Sequence, residues 1–154
     1  MSETKYFPTV EAIDKASQVL DEILEPTPFQ RNANLSDIYD AEVYLKREDL
    51  QMVRSYKIRG AYNKIRTIDP ELMKNGIVCA SAGNHAQGVA FSCSKLKIMG
   101  SIFMPVTTPR QKIEQVRMFG KEFIENILTG DTFDAANSAA TKYAQDNNKT
   151  LIPP

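Results

Sequence analysis

The stretch from Ile77 to Gly88, Ile-Val-Cys-Ala-Ser-Ala-Gly-Asn-His-Ala-Gln-Gly, contains the transition that decides the fold. Its first four residues form a short apolar run, which is typical of a buried strand. A polar turn, Ser81-Ala82-Gly83, follows this run, and a helical pattern then extends from about Asn84 to Leu96. A buried strand that leads through a tight turn into a helix is a unit of α/β proteins.

The same alternation continues on both sides of this stretch. We predict further strands at 42–46, 99–104, 123–128 and 151–152. We predict further helices at 9–24, after Ser55, after Thr108 and at about 132–147. Parallel strands need crossover connections of this kind, and these crossovers are right-handed. The predicted fold class is therefore α/β, with an open, mostly parallel sheet and helices on both faces.

Two helix starts carry capping signals. Ser55 is expected to cap the helix that follows it. Thr108 is expected to cap the helix that directly follows it, with Pro109 at the first helical position and Gln111 completing a capping box.

Composition limits the possible partners of the chain. It has 154 residues, the size of one domain, and 42% of them are hydrophobic, which is enough for an ordinary core. The 19 Lys and Arg balance the 19 Asp and Glu, so the cationic excess of nucleic-acid-binding proteins is absent. No apolar run approaches the roughly 20 residues of a membrane span. We therefore expect a cytoplasmic protein with a small-molecule ligand, and neither nucleic acid nor membrane as partner.

The turn at Ser55-Tyr56-Lys57 is polar although apolar residues flank it. The positive partial charge of a helix start disfavours a protonated amine, and a neutral lysine can attack an aldehyde to form a Schiff base. The spacing alone favours a different interpretation, in which Lys57 is one of many solvated surface lysines.

The turn at 81–88 is a second candidate site. Free amides at a helix start can bind a carboxylate or phosphate, Gly83 removes a side chain, and Ser81 and Asn84 supply hydrogen-bonding groups. An ordinary capped turn also explains the pattern. The sequence matches neither the Walker A motif nor G-x-G-x-x-G, so a nucleotide site is not indicated.

Other polar or reactive residues support simpler interpretations. His85 is the only histidine, which excludes a histidine-rich metal site. Cys79 and Cys93 are expected to pack in the core, and no C-x-x-C motif joins them. The charge run Lys46-Arg47-Glu48-Asp49 is expected to be a solvated turn with weak local ion pairs.

Four segments resemble the serine/threonine dehydratases, a family of pyridoxal-phosphate-dependent enzymes. Residues 45–61 (LKREDLQMVRSYKIRGA) resemble the cofactor attachment region, and residues 81–88 (SAGNHAQG) resemble the substrate and cofactor loop. Residues 103–113 (FMPVTTPRQKI) and 128–134 (LTGDTFD) look like the biosynthetic threonine dehydratases in particular. The resemblance extends from about Ile23 to the end of the chain.

The resemblance implies roles for individual residues. Lys57 would hold pyridoxal 5'-phosphate through a Schiff base, Tyr56 would lie against the pyridine ring, and Asn84 would bond the 3-hydroxyl of that ring. The substrate carboxylate would lie at Ser81, Ala82, Gly83, Asn84, His85 and, as a weaker candidate, Gln87. Lys57 and Ser81 would be the catalytic residues, with the Lys57 amine also removing the α-proton.

The implied reaction is that of an ammonia-lyase, which converts L-threonine to 2-oxobutanoate and ammonia for isoleucine biosynthesis. A related lyase or racemase acting on serine, or a non-catalytic remnant of the family, remains an alternative. The resemblance assigns residues from about 1 to 50 to the larger lobe of a fold-type II enzyme and residues from about 51 to 150 to the smaller lobe.

The rest of the catalytic domain, including the glycine-rich loop for the cofactor phosphate, is not matched. We therefore expect this chain alone to bind the cofactor weakly and to turn over slowly or not at all. The resemblance further implies that a full-length family member is a homo-oligomer.

Overall fold

The computed structural model describes residues 7–153. The helices are α1 (Val10–Asp21), α2 (Ala33–Tyr39), α3 (Lys57–Thr67), α4 (Asn84–Leu96), α5 (Arg110–Gly120) and α6 (Phe133–Asp146). The strands are β1 (Phe29–Arg31), β2 (Tyr44–Lys46), β3 (Ile77–Ala80), β4 (Gly100–Met104), β5 (Ile124–Leu128) and β6 (Thr150–Leu151). Short 3-10 helices occupy Glu48–Leu50, Pro70–Met73 and Lys121–Phe123.

The larger sheet is parallel throughout. Its four strands lie in the order β5-β4-β3-β6. Ile77 of β3 lies opposite Gly100 of β4 and Thr150 of β6, and Gly100 lies opposite Ile124 of β5. A helix connects β3 to β4, and another connects β4 to β5, as the spacing of the strands predicts.

Helices cover both faces of this sheet. Ile77 and Cys79 belong to a core that also contains buried side chains of α3, α4 and α5. The intervening residues of β3, Val78 and Ala80, pack with Ala140 of α6 on the opposite face. Alternate residues of β3 thus pack into cores on opposite faces of the sheet. The predicted α/β architecture is confirmed.

The N-terminal region departs from the prediction. The strand predicted at 42–46 does not join the parallel sheet, because β2 pairs antiparallel with β1 in a sheet of two strands. The rings of Phe29 and Tyr44 stack across this pair with centroids 5.2 Å apart. Neither β1 nor α2 was predicted, since β1 consists of three exposed residues without apolar alternation.

Both capping predictions are wrong. Helix α3 begins after Tyr56 without a side-chain cap, and helix α5 begins after Pro109, one residue later than expected and also without one. The hydroxyl groups of Ser55 and Thr108 are buried and have no hydrogen-bond partner within residues 7–153. The local sequence predicts that each hydroxyl accepts a capping hydrogen bond from a backbone amide. Tertiary packing buries both hydroxyls instead.

The two cysteines are core residues, as predicted. Cys79 and Cys93 are free and buried. Burial raises the pKa of both thiols, that of Cys93 to about 12, so neither is a thiolate near neutral pH. Within the described residues we find no group of side chains that could hold a metal ion. Nor is any helix between residues 7 and 153 both long and apolar enough to cross a membrane.

Candidate functional site

A cavity of about 300 Å³ lies where the starts of α3 and α4 approach the end of β6. Helix α4 starts at the carboxyl end of β3, and β6 is the parallel neighbour of β3. Ligands of open α/β sheets bind beyond the carboxyl ends of the strands. The cavity is lined by Tyr56, Lys57, Gly60, Ala61, Lys64, His85, Ile152 and Pro153.

Gly88 allows the two helix starts to meet. A Cβ atom on Gly88 would lie 3.2 Å from the carbonyl oxygen of Lys57 and 3.2 Å from the Cβ of Ala61. Such distances are tighter than ordinary van der Waals contact, so only glycine fits without movement of the α3 backbone. The close approach places Lys57 beside the first turns of α4. Gly88 ends the 81–88 segment, and no local pattern in the sequence predicted this role for it.

Lys57 is the first residue of α3 and is partly buried. The next residue, Ile58, is fully buried in a core with Leu20 and Phe91. The residue after that, Arg59, forms a bidentate ion pair with Glu48. Two neighbours therefore set the position of Lys57. Ile58 is held by packing in a core, and Arg59 is held by an ion pair.

The Glu48 contact corrects the prediction for the charge run 46–49. Only Arg47 and Asp49 form the exposed local pair that was expected. The side chain of Glu48 is 17% exposed and bonds Arg59 and Thr27. Hydrogen bonding to Arg59 is the largest cause that lowers the pKa of Glu48 to about 2. The partners of Glu48 lie too far along the chain for the local charge pattern to indicate them.

His85 is the second residue of α4 and lines the cavity. Its Nε2 atom is 3.4 Å from the carbonyl oxygen of Ile152, and the residue is buried. Burial lowers the pKa of His85, the Ile152 carbonyl opposes this, and the charge of Lys57 lowers the pKa further. His85 is therefore mostly neutral at pH 7, and it lines the same cavity as Lys57.

The start of α4 has open backbone donors. Gly83 occupies the cap position and provides no side-chain acceptor. The first amide groups of a helix have no acceptor within the helix. The hydroxyl of Ser81 accepts a hydrogen bond from the Gly83 amide at 3.3 Å, and Asn84 is exposed. A Cβ on Gly83 would meet no atom within 4 Å, so the space beside this turn is open.

The structure brings together some of the predicted site residues. Tyr56, Lys57 and His85 line the cavity, whereas Ser81, Ala82, Gly83 and Asn84 form the turn that leads to His85 without lining it. The side-chain amide of Gln87 donates to Oε1 of Gln115 on α5 at 3.1 Å, away from the cavity lining. The roles assigned to these residues stay predictions.

Further residues line the cavity that were not predicted as site residues. Gly60, Ala61 and Lys64 follow Lys57 at helical spacing, and that spacing was the available signal for a shared face. Nothing in the sequence indicated Ile152, which β6 brings beside α4.

The residues present fit pyridoxal phosphate. Lys57 offers a primary amine at the cavity for an aldehyde, and the start of α4 offers unpaired amides for an anion. A Cβ on Gly60 would meet no atom within 4 Å, and the cavity beside Lys57 has a volume of about 300 Å³, the lower end of the usual range for small-molecule sites. These donors and this space are what the chemistry of the cofactor requires.

Comparison with known proteins agrees with the resemblance. The chain is 56% identical over 145 residues to the biosynthetic L-threonine dehydratase IlvA of Halalkalibacterium halodurans, covering 94% of this chain and 35% of that protein. It is likewise 56% identical to IlvA of Bacillus subtilis, covering 94% of this chain and 34% of the relative. The chain thus spans about a third of the length of these relatives.

Solved structures show the same fold. The processed form of threonine deaminase isoform 2 from Solanum lycopersicum matches with a TM-score of 0.79 and 39% identity, covering 92% of this chain and 40% of that one. Maize serine racemase matches with a TM-score of 0.87 and 25% identity, covering 96% of this chain and 44% of that one. The family model described as "Pyridoxal-phosphate dependent enzyme" matches residues 20–154. On the strength of that match, together with the site around Lys57, this chain belongs to the family of pyridoxal-phosphate-dependent enzymes.

Proposed function

We propose that this chain is part of an ammonia-lyase that uses pyridoxal 5'-phosphate to convert L-threonine to 2-oxobutanoate and ammonia, a reaction of isoleucine biosynthesis. The observation that carries the proposal is the cavity that Lys57 shares with His85 of the 81–88 turn. The names of the relatives with 56% identity support threonine as the substrate.

Three residues would hold the cofactor. The Lys57 amine would bind it covalently, the Tyr56 ring would lie against its pyridine ring, and the Asn84 side chain would bond its ring hydroxyl. Tyr56 supports this assignment because it lines the same cavity as Lys57. When bound, the cofactor supplies a ring that accepts the electrons left on the α-carbon of the substrate.

The residues of the chain would position the substrate and move its proton. Ser81 and the amides of Ala82, Gly83, Asn84 and His85 would bind the substrate carboxylate, with Gln87 as a weaker candidate. Once the substrate amine had displaced it from the cofactor, the Lys57 amine would accept the α-proton, and its fixed position beside the cavity would supply much of the rate. Because His85 is neutral, it adds no second positive charge beside this amine.

A related enzyme acting on serine is the second candidate. The TM-score of 0.87 with maize serine racemase favours it, although the identity is only 25%. The two candidates share the proposed Lys57 chemistry and differ in substrate and product, so a product assay separates them.

The first experiment tests the attachment site. The purified chain is mixed with pyridoxal phosphate, reduced with borohydride and digested, and mass spectrometry locates the pyridoxyl group. We expect this group on Lys57 and its loss from that peptide in Lys57→Ala. The control Lys112→Ala, which removes an exposed lysine of α5, should not change attachment at Lys57. Attachment mainly at Lys64 or at other lysines in the wild-type chain would refute the proposed site.

The second experiment tests the reaction. This chain replaces the matching third of Bacillus subtilis IlvA, and the chimera is assayed with L-threonine, L-serine and D-serine. We expect 2-oxobutanoate from L-threonine and none when the chimera carries Lys57→Ala. Racemised serine as the main product would support the second candidate, and a folded chimera with no product would indicate a non-catalytic remnant.

We also propose a division into lobes, a cellular location and an oligomeric state for the protein. The separation of the β1–β2 pair from the four-stranded sheet supports assigning residues from about 1 to 50 to a larger lobe and from about 51 to 150 to a smaller one. The free, buried cysteines suit a cytoplasmic location. The full-length protein would be a homo-oligomer, as the resemblance implies.

A further inference from the structure

We infer that Glu48 and Arg59 are positioning residues that hold the Lys57 amine at the cavity. The inference rests on the proposed function, in which Lys57 carries the cofactor. Arg59 Nε donates to Glu48 Oε2 at 2.9 Å, and Arg59 Nη2 donates to Glu48 Oε1 at 2.8 Å. A bidentate pair of this kind fixes the relative orientation of the two groups as well as their distance.

The Glu48 carboxylate is itself anchored to the N-terminal region. The hydroxyl of Thr27 donates to Glu48 Oε1 at 2.6 Å, and Thr27 is buried. Lys46 Nζ donates to the carbonyl oxygen of Thr27 at 2.6 Å. The end of β2 and the segment after α1 therefore hold Glu48 in place, and Glu48 in turn holds the first turn of α3.

The start of α3 needs such an anchor. Tyr56 in the cap position makes no side-chain capping bond, and the first turn contains no acidic residue. It contains Arg59 instead, a cation where the helix dipole favours an anion. Glu48 supplies the missing negative charge from outside the helix, so the pair offsets an unfavourable local arrangement at the turn that begins with Lys57.

The direction of the Lys57 side chain follows from its two neighbours. Consecutive residues of a helix point about 100° apart. Ile58 is held in the core, and Arg59 is held by Glu48. With both directions fixed, the first turn of α3 cannot rotate, and Lys57 is directed into the cavity that it lines.

The experiment measures attachment at Lys57 relative to attachment at Lys112 within the same molecule, after mixing with pyridoxal phosphate and reduction with borohydride. We expect Glu48→Gln to lower this ratio by between about tenfold and a hundredfold, the scale for a reacting group displaced by about 1 Å. Arg59→Gln should act similarly, and the double variant should be no worse than either single one. The circular dichroism of the visible cofactor band should weaken in parallel, since it reports how the site orients the ring.

A matched control is available in the same turn. Asp49→Asn breaks the exposed Arg47–Asp49 pair, which does not reach α3, and should leave the ratio within about twofold, as expected for a surface pair. Far-ultraviolet circular dichroism establishes that each variant is folded. Should Glu48→Gln not fold, Thr27→Val removes only one hydrogen bond of Glu48 and should still lower the ratio.

Two outcomes would overturn the inference. One is a folded Glu48→Gln, or a folded Thr27→Val in its place, with an unchanged ratio. The other is an equal loss in Asp49→Asn. Failure of the proposed function gives a different result, because the wild-type chain would then show no preference for Lys57.

Discussion

The two helix starts that meet at the cavity are organised by interactions of different range. Helix α4 follows directly from β3 through three residues, and its open amides result from that local turn. Helix α3 follows an irregular segment and has no cap, and its first turn is held by Ile58 in a core and by Arg59 on Glu48. The comparison shows that one wall of the site depends on local sequence and the other on distant contacts.

The largest expected effect tests the anchoring of α3. Ile58→Ala should lower the free energy of unfolding by about 2–5 kcal/mol, because Ile58 is fully buried and its loss leaves a cavity. Urea unfolding measures the change. The matched control is Ile38→Ala in α2, where the side chain is 70% exposed and the expected change is within about 0.5 kcal/mol. Equal effects of both substitutions would show that the core contact of Ile58 does not anchor α3.

The next effect tests the contact between the two helices. Gly88→Ala should lower the free energy of unfolding by about 1–3 kcal/mol, because the new methyl group meets backbone atoms of Lys57 and Ile58. Gly60→Ala should raise it by up to about 1 kcal/mol, because no atom lies within 4 Å and alanine favours the helix. Thermal unfolding of both variants checks the opposite signs. A stabilising Gly88→Ala would show that the helices can separate at no cost.

The smallest expected effect is the pH dependence of the free energy of unfolding that His85 of α4 causes. His85 has a pKa below its usual 6.5 in the folded chain, mainly because it is buried. The unfolded chain therefore takes up the proton first, and the stability contributed by neutral His85 is lost as the pH falls from 6.5 through the folded pKa.

The slope for one proton is at most about 1.4 kcal/mol per pH unit. Urea unfolding at about pH 7.5 and about pH 5.5 measures it, and His85→Gln should remove it. Because His85 is the only histidine, a slope that persists in the variant would assign the titration to another group.

The accuracy of the sequence-based prediction differs in the same way between the two regions. Strand β3 and helix α4 were predicted with the bounds that the structure has, because a short apolar run and a helical period are local signals. The strand at 42–46 was assigned to the wrong sheet, since its partner β1 is short and exposed. Ser55 was expected to cap α3, yet packing buries its hydroxyl without a partner among residues 7–153.

The candidate site divides similarly. Residue type and motif identified Lys57 and the 81–88 turn as two candidates, and only the resemblance placed them in one site. The shared cavity, the role of Gly88 and the Glu48–Arg59 pair appear only in the folded chain.

The amino-acid sequence alone determined the order of the strands and helices from α3 onward and the chemical groups available for function, because hydrophobic period and residue type act over a few neighbouring residues. The tertiary structure decided which of these groups meet. It brought Ile152 beside His85, Glu48 onto Arg59, and Lys57 against Gly88. Such contacts depend on burial and charge pairing between residues far apart in the chain, which no local pattern encodes.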